Sequence, residues 1–115
     1  MCIRDSKMSI TTNFFLAYIT TKNEEEALTL ANFAVEKNLA ACGNIFPKMK
    51  SVYKWNNKLQ NDDETLLILK TNSSKYPLLK KLIKEKHSYE VPCILKIPII
   101  DGNKEYLKWI NDSLI

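Results

Sequence analysis

The sequence predicts an α+β domain of the split β-α-β-β-α-β, ferredoxin-like type. Three observations carry this. Short apolar runs of strand length alternate with two amphipathic stretches of helical spacing in that order. The second and third strand-like runs flank a turn, Asn56-Asn57-Lys58, as a long hairpin. A further amphipathic stretch then closes the chain. A length of 115 residues suits one such domain, and 45% hydrophobic with 26% charged residues suits a globular core that needs no disulfide or structural metal.

Phe14-Phe15-Leu16-Ala17-Tyr18-Ile19-Thr20 is an apolar, aromatic run read as a buried strand. Thr21-Lys22-Asn23 offers N-cap residues, and Glu24, Glu25 and Glu26 favour a helix N-terminus. Ala27, Leu30, Ala31, Ala34 and Val35 then form one apolar stripe, so a helix is expected over about 23–37, ending near Asn38. Ala40 to Phe46 opens a second strand, in which Pro47 marks a bend or an edge. The alternation Met49, Ser51, Tyr53, Trp55 continues it. Thr65-Leu66-Leu67-Ile68-Leu69-Lys70-Thr71 is apolar on both faces and is expected to be central. Ser73 or Ser74 is expected to cap a second helix, with Pro77 in its first turn and Leu79, Leu82 and Ile83 inside. His87 to Pro92 is a connection, and Cys93 to Ile100 a fourth strand with Lys96 and Pro98 on one face or at an edge. Asp101-Gly102-Asn103 caps the last helix, which carries Tyr106, Leu107, Trp109 and Ile110. The two helices are expected on one face of the sheet. Large aromatics near the hairpin end, Tyr53 and Trp55, point to a subunit interface.

The net charge of +4 is a mild basic excess, short of a nucleic-acid-binding signature. The only Arg is Arg4, whereas the chain from Met8 is rich in Lys, Asn and Ile. Residues 1–7 therefore read as a non-native or disordered extension, with Met8 a natural start. Without them the charge falls by one, and Cys2 is lost. Cys42 and Cys93 remain, with no CxxC between them, which fits a reducing cytoplasm. No apolar stretch has the length of a membrane span.

A ferredoxin-like fold does not fix function, so residues must decide. A thiolate pair for Cu(I) transfer would need CxxC, which is absent. An RNA-recognition motif would need stacking aromatics where the third strand is aliphatic. An Arg-based phosphate grip lacks its Arg. Gly43 and Gly102 are the only glycines, so no P-loop or GxGxxG is possible. The remaining polar group is Cys42, His87, Glu90 and Cys93. Thiolate and imidazole suit copper or zinc, and a carboxylate adds a harder ligand. The spacing is not a metal motif by itself. A buried thiol, a helix-capping His87 and a Glu90 paired with Lys stay open beside it.

Five segments together resemble the CutA (CutA1) divalent-cation tolerance family: Ala40-Ala41-Cys42-Gly43-Asn44-Ile45, Ser51-Val52-Tyr53-Lys54-Trp55, Leu69-Lys70-Thr71, His87-Ser88-Tyr89-Glu90-Val91-Pro92, and Tyr106-Leu107-Lys108-Trp109-Ile110. Their order holds from about Phe14 to Asp112. The resemblance implies one domain over residues 8–115 and a ferredoxin-like subunit that assembles as a homotrimer. In that trimer the long second and third strands pair between subunits, which also protects sheet edges. It implies a non-enzymatic, cytoplasmic protein of metal-ion response, with Cu2+ or another divalent cation as ligand and no nucleic-acid or membrane partner. Cys42, His87 and Glu90 are carried over as metal-site residues. Tyr53, Trp55, Tyr89, Pro92 and Trp109 are carried over as interface or structural positions. Cys93 lies outside the shared pattern, and Gly43 and Lys96 read as local variation. The competing readings are a trimeric, PII-like signalling or small-ligand module, and an enzyme using His87 as general acid or base.

Overall fold

The computed structural model describes residues 12–115, and the extension expected at residues 1–7 lies outside them. The elements are β1 (Phe14–Thr21), α1 (Glu24–Glu36), β2 (Cys42–Trp55), β3 (Lys58–Asn72), α2 (Tyr76–Lys86), β4 (Ile94–Pro98) and α3 (Lys104–Ser113). The four strands form one antiparallel sheet in the order β2-β3-β1-β4, so β3 is central and β2 and β4 are edges. Leu67 and Leu69 are fully buried on the helix side. Each contributes about 1.5–3 kcal/mol by leaving water.

Strand periodicity divides the sheet into two faces. Ala17, Ile19, Leu67 and Leu69 point to α1 and α2 and form the core with Ala27, Leu30, Ala31, Ala34, Leu79 and Ile83. Leu16, Tyr18, Leu66, Ile68, Leu95 and Ile97 share the other face, paired across the ladder. Among the described residues one end of that face is roofed, by α3, through Ile110 and Leu114 against Ala41 and Phe14. Leu95, Ile97 and Phe46 stay exposed there.

Asn23 caps α1 as expected, its Oδ1 accepting the Glu26 N–H at 2.8 Å, while the Glu26 carboxylate accepts the Lys22 N–H at 3.0 Å. The exchange resembles a capping box. Asn38 ends the helix in the left-handed region at φ 59°. Pro47 does not stop β2: the ladder shifts register between Phe46 and Met49, with Lys48 at φ 63°, and then continues. The turn is two residues, Asn56 and Asn57, both with positive φ, and Lys58 already pairs with Trp55.

Two expectations need correction. The α2 N-cap is Lys75, with no side-chain cap bond. Asn72 replaces the serines there: its Oδ1 accepts from the Lys75 N–H at 3.0 Å and from the Ser74 hydroxyl at 3.1 Å. The fourth strand is shorter than Cys93 to Ile100, because its register against β1 runs only from Ile94 to Pro98.

Candidate functional site

β4 pairs with β1 only as far as Ile19. Beyond it, His87 occupies the side of β1. Its side chain is fully buried, and Nε2 lies 2.8 Å from the Thr20 carbonyl oxygen. Nδ1 accepts the Tyr89 N–H at 3.0 Å. A backbone N–H can only donate, so Nε2 carries the ring proton and donates to Thr20. Both ring nitrogens are thus committed to protein partners. The Tyr89 ring packs on the imidazole with centroids 4.7 Å apart.

Glu26 ties this corner to α1. One carboxylate oxygen takes the Lys22 N–H, and the other accepts the Ser88 N–H at 2.8 Å and sits 3.9 Å from His87 Nδ1. Burial acts to raise its pKa, but the Lys22 N–H and the hydroxyl and N–H of Ser88 outweigh burial and hold the carboxyl below its ordinary value.

Beyond Tyr89 the open face of the hairpin base begins. The Tyr89 hydroxyl donates to Glu64 at 2.7 Å, and the Tyr53 hydroxyl donates to Asp62. Burial and the Glu64 carboxylate push the Tyr89 phenol well above its ordinary pKa, so it stays a donor. These groups, with Trp55, Gln60, Val91, Cys93 and Thr20, line a cavity of about 610 Å³.

Cys42, His87 and Glu90 do not meet within one chain. Cys42 pairs with Lys70, which pairs with Leu16, whereas His87 binds Thr20. Four residues of β1 separate the two levels, on the order of 13 Å of strand. Cys42 is half-buried on the open face, 4.0 Å from Asn44 Oδ1. Its neighbour Lys70 donates to the Tyr106 hydroxyl at 3.0 Å, and this contact raises the Lys70 pKa despite partial burial. Glu90 is exposed and shares a shallow groove with Lys80, Lys84 and Pro92. Among the described residues no three or more His, Cys, Asp or Glu side chains converge as a metal group. The donor set therefore does not fit a resident metal centre in a single chain.

Of the interface positions, Tyr53, Trp55 and Trp109 are exposed, and Trp109 stacks on Tyr106 with centroids 5.4 Å apart. Sequence reasoning missed Glu26, Asp62 and Glu64. Glu26 passed as helix-terminal charge. Asp62 and Glu64 could have been found by extending the β3 alternation back from Leu66, which puts all three on one face.

The family profile described as "CutA1 divalent ion tolerance protein" matches residues 15–113. The divalent-cation tolerance protein CutA of Thermus thermophilus is 44% identical over 95 residues, which cover 83% of this chain and 92% of that one. The chloroplastic CutA of Arabidopsis thaliana is 40% identical over 111 residues, 96% of this chain but 61% of that one. The CutA homologue of Xenopus laevis is likewise spanned over only 64% of its length. Among solved structures, CutA1 of Oryza sativa superposes with a TM-score of 0.87 at 40% identity, covering 93% of this chain and 98% of that one. CutA1 of Ehrlichia chaffeensis gives 0.87 at 33% identity, over 91% and 98%. With the profile spanning nearly all the described residues and these identities, the chain belongs to the CutA1 divalent ion tolerance protein family.

Proposed function

We propose that the protein is a CutA-type divalent-cation tolerance protein that works as a homotrimer of ferredoxin-like subunits and meets metal ions, copper foremost, as cargo. The observation that carries the assembly is the open sheet face. Leu95 is 54% exposed, Phe46 50% and Trp55 65%, on the side of the sheet opposite the one that α1 and α2 cover at Ala17, Ile19, Leu67 and Leu69. A lone subunit would leave this apolar surface in water. The β-α-β-β-α-β succession and the strand order with β3 and β1 central support the ferredoxin-like reading. A closed trimer also shelters the bare edge of the long β2.

The metal reading rests on the family's name as divalent ion tolerance proteins and on exposed or half-buried donors, Glu90 and Cys42. His87 serves it differently: with both nitrogens engaged, it fixes the loop that carries Glu90. No enzymatic step is proposed. A cytoplasmic location is proposed from Cys42 and Cys93, which are free thiols among the described residues. Relatives are named chloroplastic in Arabidopsis thaliana and periplasmic in Archaeoglobus fulgidus.

Two measurements test this reading. Sedimentation equilibrium is expected to give three times the subunit mass, and Leu95→Asp a smaller species. Calorimetric titration with Cu2+ is expected to saturate, with weaker binding in Glu90→Gln or Cys42→Ala. A monomer, or no saturable copper heat, removes the corresponding half of the proposal.

A further inference from the structure

We propose that Asp101 is a site of spontaneous backbone modification: its carboxyl closes on the Gly102 nitrogen as a succinimide, which reopens as isoaspartate and loosens the first turn of α3. Neither residue enters the metal or assembly readings.

Three observations point to this site. The first is sequence. Asp101-Gly102 is the one place in the chain where a glycine follows an Asp or Asn, since the other glycine, Gly43, follows Cys42. A following side chain crowds attack on the carboxyl carbon, and glycine has none. The second is geometry. The Gly102 N–H donates to Asp101 Oδ1 at 2.9 Å. The attacking nitrogen thus already stands against the carboxyl group whose carbon it must reach. The third is freedom. Asp101, Gly102 and Asn103 are exposed and lie in neither strand nor helix. The ladder with β1 has ended by then: Pro98 pairs with Phe15, and the Ile99 N–H donates to the Phe14 carbonyl. Among the described residues the Gly102 N–H has no other acceptor, so ring closure breaks no ladder or helix bond.

Ring closure and reopening conserve atoms. The Gly102 nitrogen bonds to Asp101 Cγ, and the carboxyl hydroxyl leaves with the amide proton as water. Water then adds to one of the two imide carbonyls. Cleavage between nitrogen and Cγ restores Asp101. Cleavage between nitrogen and the main-chain carbonyl carbon leaves the chain running through Cγ, one methylene longer, with a free α-carboxylate. No oxidant, metal or second protein is needed.

The lengthened link lies just before the α3 cap. Asn103 Oδ1 accepts the Glu105 N–H at 2.9 Å and the Tyr106 N–H at 3.3 Å, and the Asn103 carbonyl accepts the Leu107 N–H at 3.0 Å. An extra backbone carbon there shifts the cap against its partners. Ile110 and Leu114, which hold α3 to Ala41 and Phe14, lie further along the helix, so the change stays in the first turn.

The test incubates the whole native protein in a mildly acidic buffer made with water enriched in heavy oxygen. The chain is then mapped by proteolysis and electron-transfer dissociation, which separates isoaspartate from aspartate. Isoaspartate and heavy oxygen are expected to accumulate at Asp101. Gly102→Ala is the comparison: Gly102 has no positive φ, and an added Cβ would stand 3.4 Å from Leu107 Cδ2, an ordinary contact, so the fold accepts it. It is expected to slow the reaction about tenfold. Asp101→Glu, whose ring would be six-membered, is expected to form none over the same period. In the isomerised fraction the Glu105 and Tyr106 amides should exchange with deuterium about fivefold faster. An absence of isoaspartate at Asp101 in the native protein overturns the proposal, whether or not the chain unfolded in urea forms it. So does an equal rate in either variant. Unchanged exchange at Glu105 and Tyr106 overturns the coupling to α3. Copper titration and subunit mass play no part in these readouts, so this site and the metal and assembly readings stand or fall separately.

Discussion

His87 and Thr20, 67 positions apart in sequence, are joined by a 2.8 Å hydrogen bond from an imidazole to a backbone carbonyl at the end of a strand. The ring stands where β4 has ended, and it holds the loop after α2 against β1. His87→Ala would leave the Thr20 carbonyl and the Tyr89 N–H without their partner and open a void. A loss of about 2–4 kcal/mol is expected. Urea unfolding of wild type and variant at neutral pH measures it. A loss under 1 kcal/mol, on the order of a surface substitution, would mean the ring is dispensable to the fold. Reduced copper binding in this variant would reflect the displaced loop of Glu90 as readily as a lost ligand.

Glu26 gives the fold an acid limit. Its folded pKa lies below the ordinary value of 4.5, so its contribution is fully present above that value and is lost as pH falls through the folded pKa. Thermal melts from pH 6 down to about pH 3 are expected to show falling stability below about 4.5, less steeply in Glu26→Gln. Parallel pH profiles in the two proteins would show that other carboxylates set the acid limit.

Tyr89 joins the His87 corner to the hairpin through its 2.7 Å bond to Glu64. Tyr89→Phe keeps the ring against His87 and removes only that bond, so a loss of about 0.5–1.5 kcal/mol is expected. Tyr89→Ala removes the ring as well and should cost more. Equal losses in the two variants, read from denaturant midpoints, would assign the whole effect to the hydroxyl.

Gly43 is more constrained than local variation implies. A Cβ built there would stand 3.0 Å from the Ala31 Cβ and 3.1 Å from Leu69 Cδ2. Ala31 is fixed on α1, so the helix itself must move. Gly43→Ala is expected to destabilise by about 1–3 kcal/mol through overpacking. An unchanged melting temperature would show that the layer between α1 and the sheet yields freely.

The sequence made the element order legible because local chemistry wrote it: Asn23 before three glutamates, the apolar run of Thr65 to Thr71, and the stripe from Ala27 to Ala34. Ahead of α2, Asn72 at the end of β3 takes the Lys75 N–H and the Ser74 hydroxyl in a local turn, so the side chain that acts there lies one residue before the expected serines. Pattern failed more fully where a contact depends on distant chain. The fate of His87 was hidden, since both its partners are backbone atoms, which carry no residue signature. Lys96 read as variation, yet its ammonium lies 4.1 Å from the Phe15 ring centroid and 5.0 Å from that of Tyr76, a site made by three elements. Among the site residues, type was readable and convergence was not: Cys42 and His87 hold suitable donors at different levels of the sheet.

The bulge at Pro47 and Lys48 divides the hairpin into a portion backed by helices and an arm from Ser51 to Lys58 that is nearly all exposed. In an isolated subunit only its own ladder holds that arm, so its amides should open locally at far lower free energy than those of Leu67 and Leu69. Deuterium uptake would then run on two clocks within one hairpin. In the trimer proposed above, association would slow the fast clock and leave the other alone, which would make the arm a built-in gauge of how many subunits are engaged.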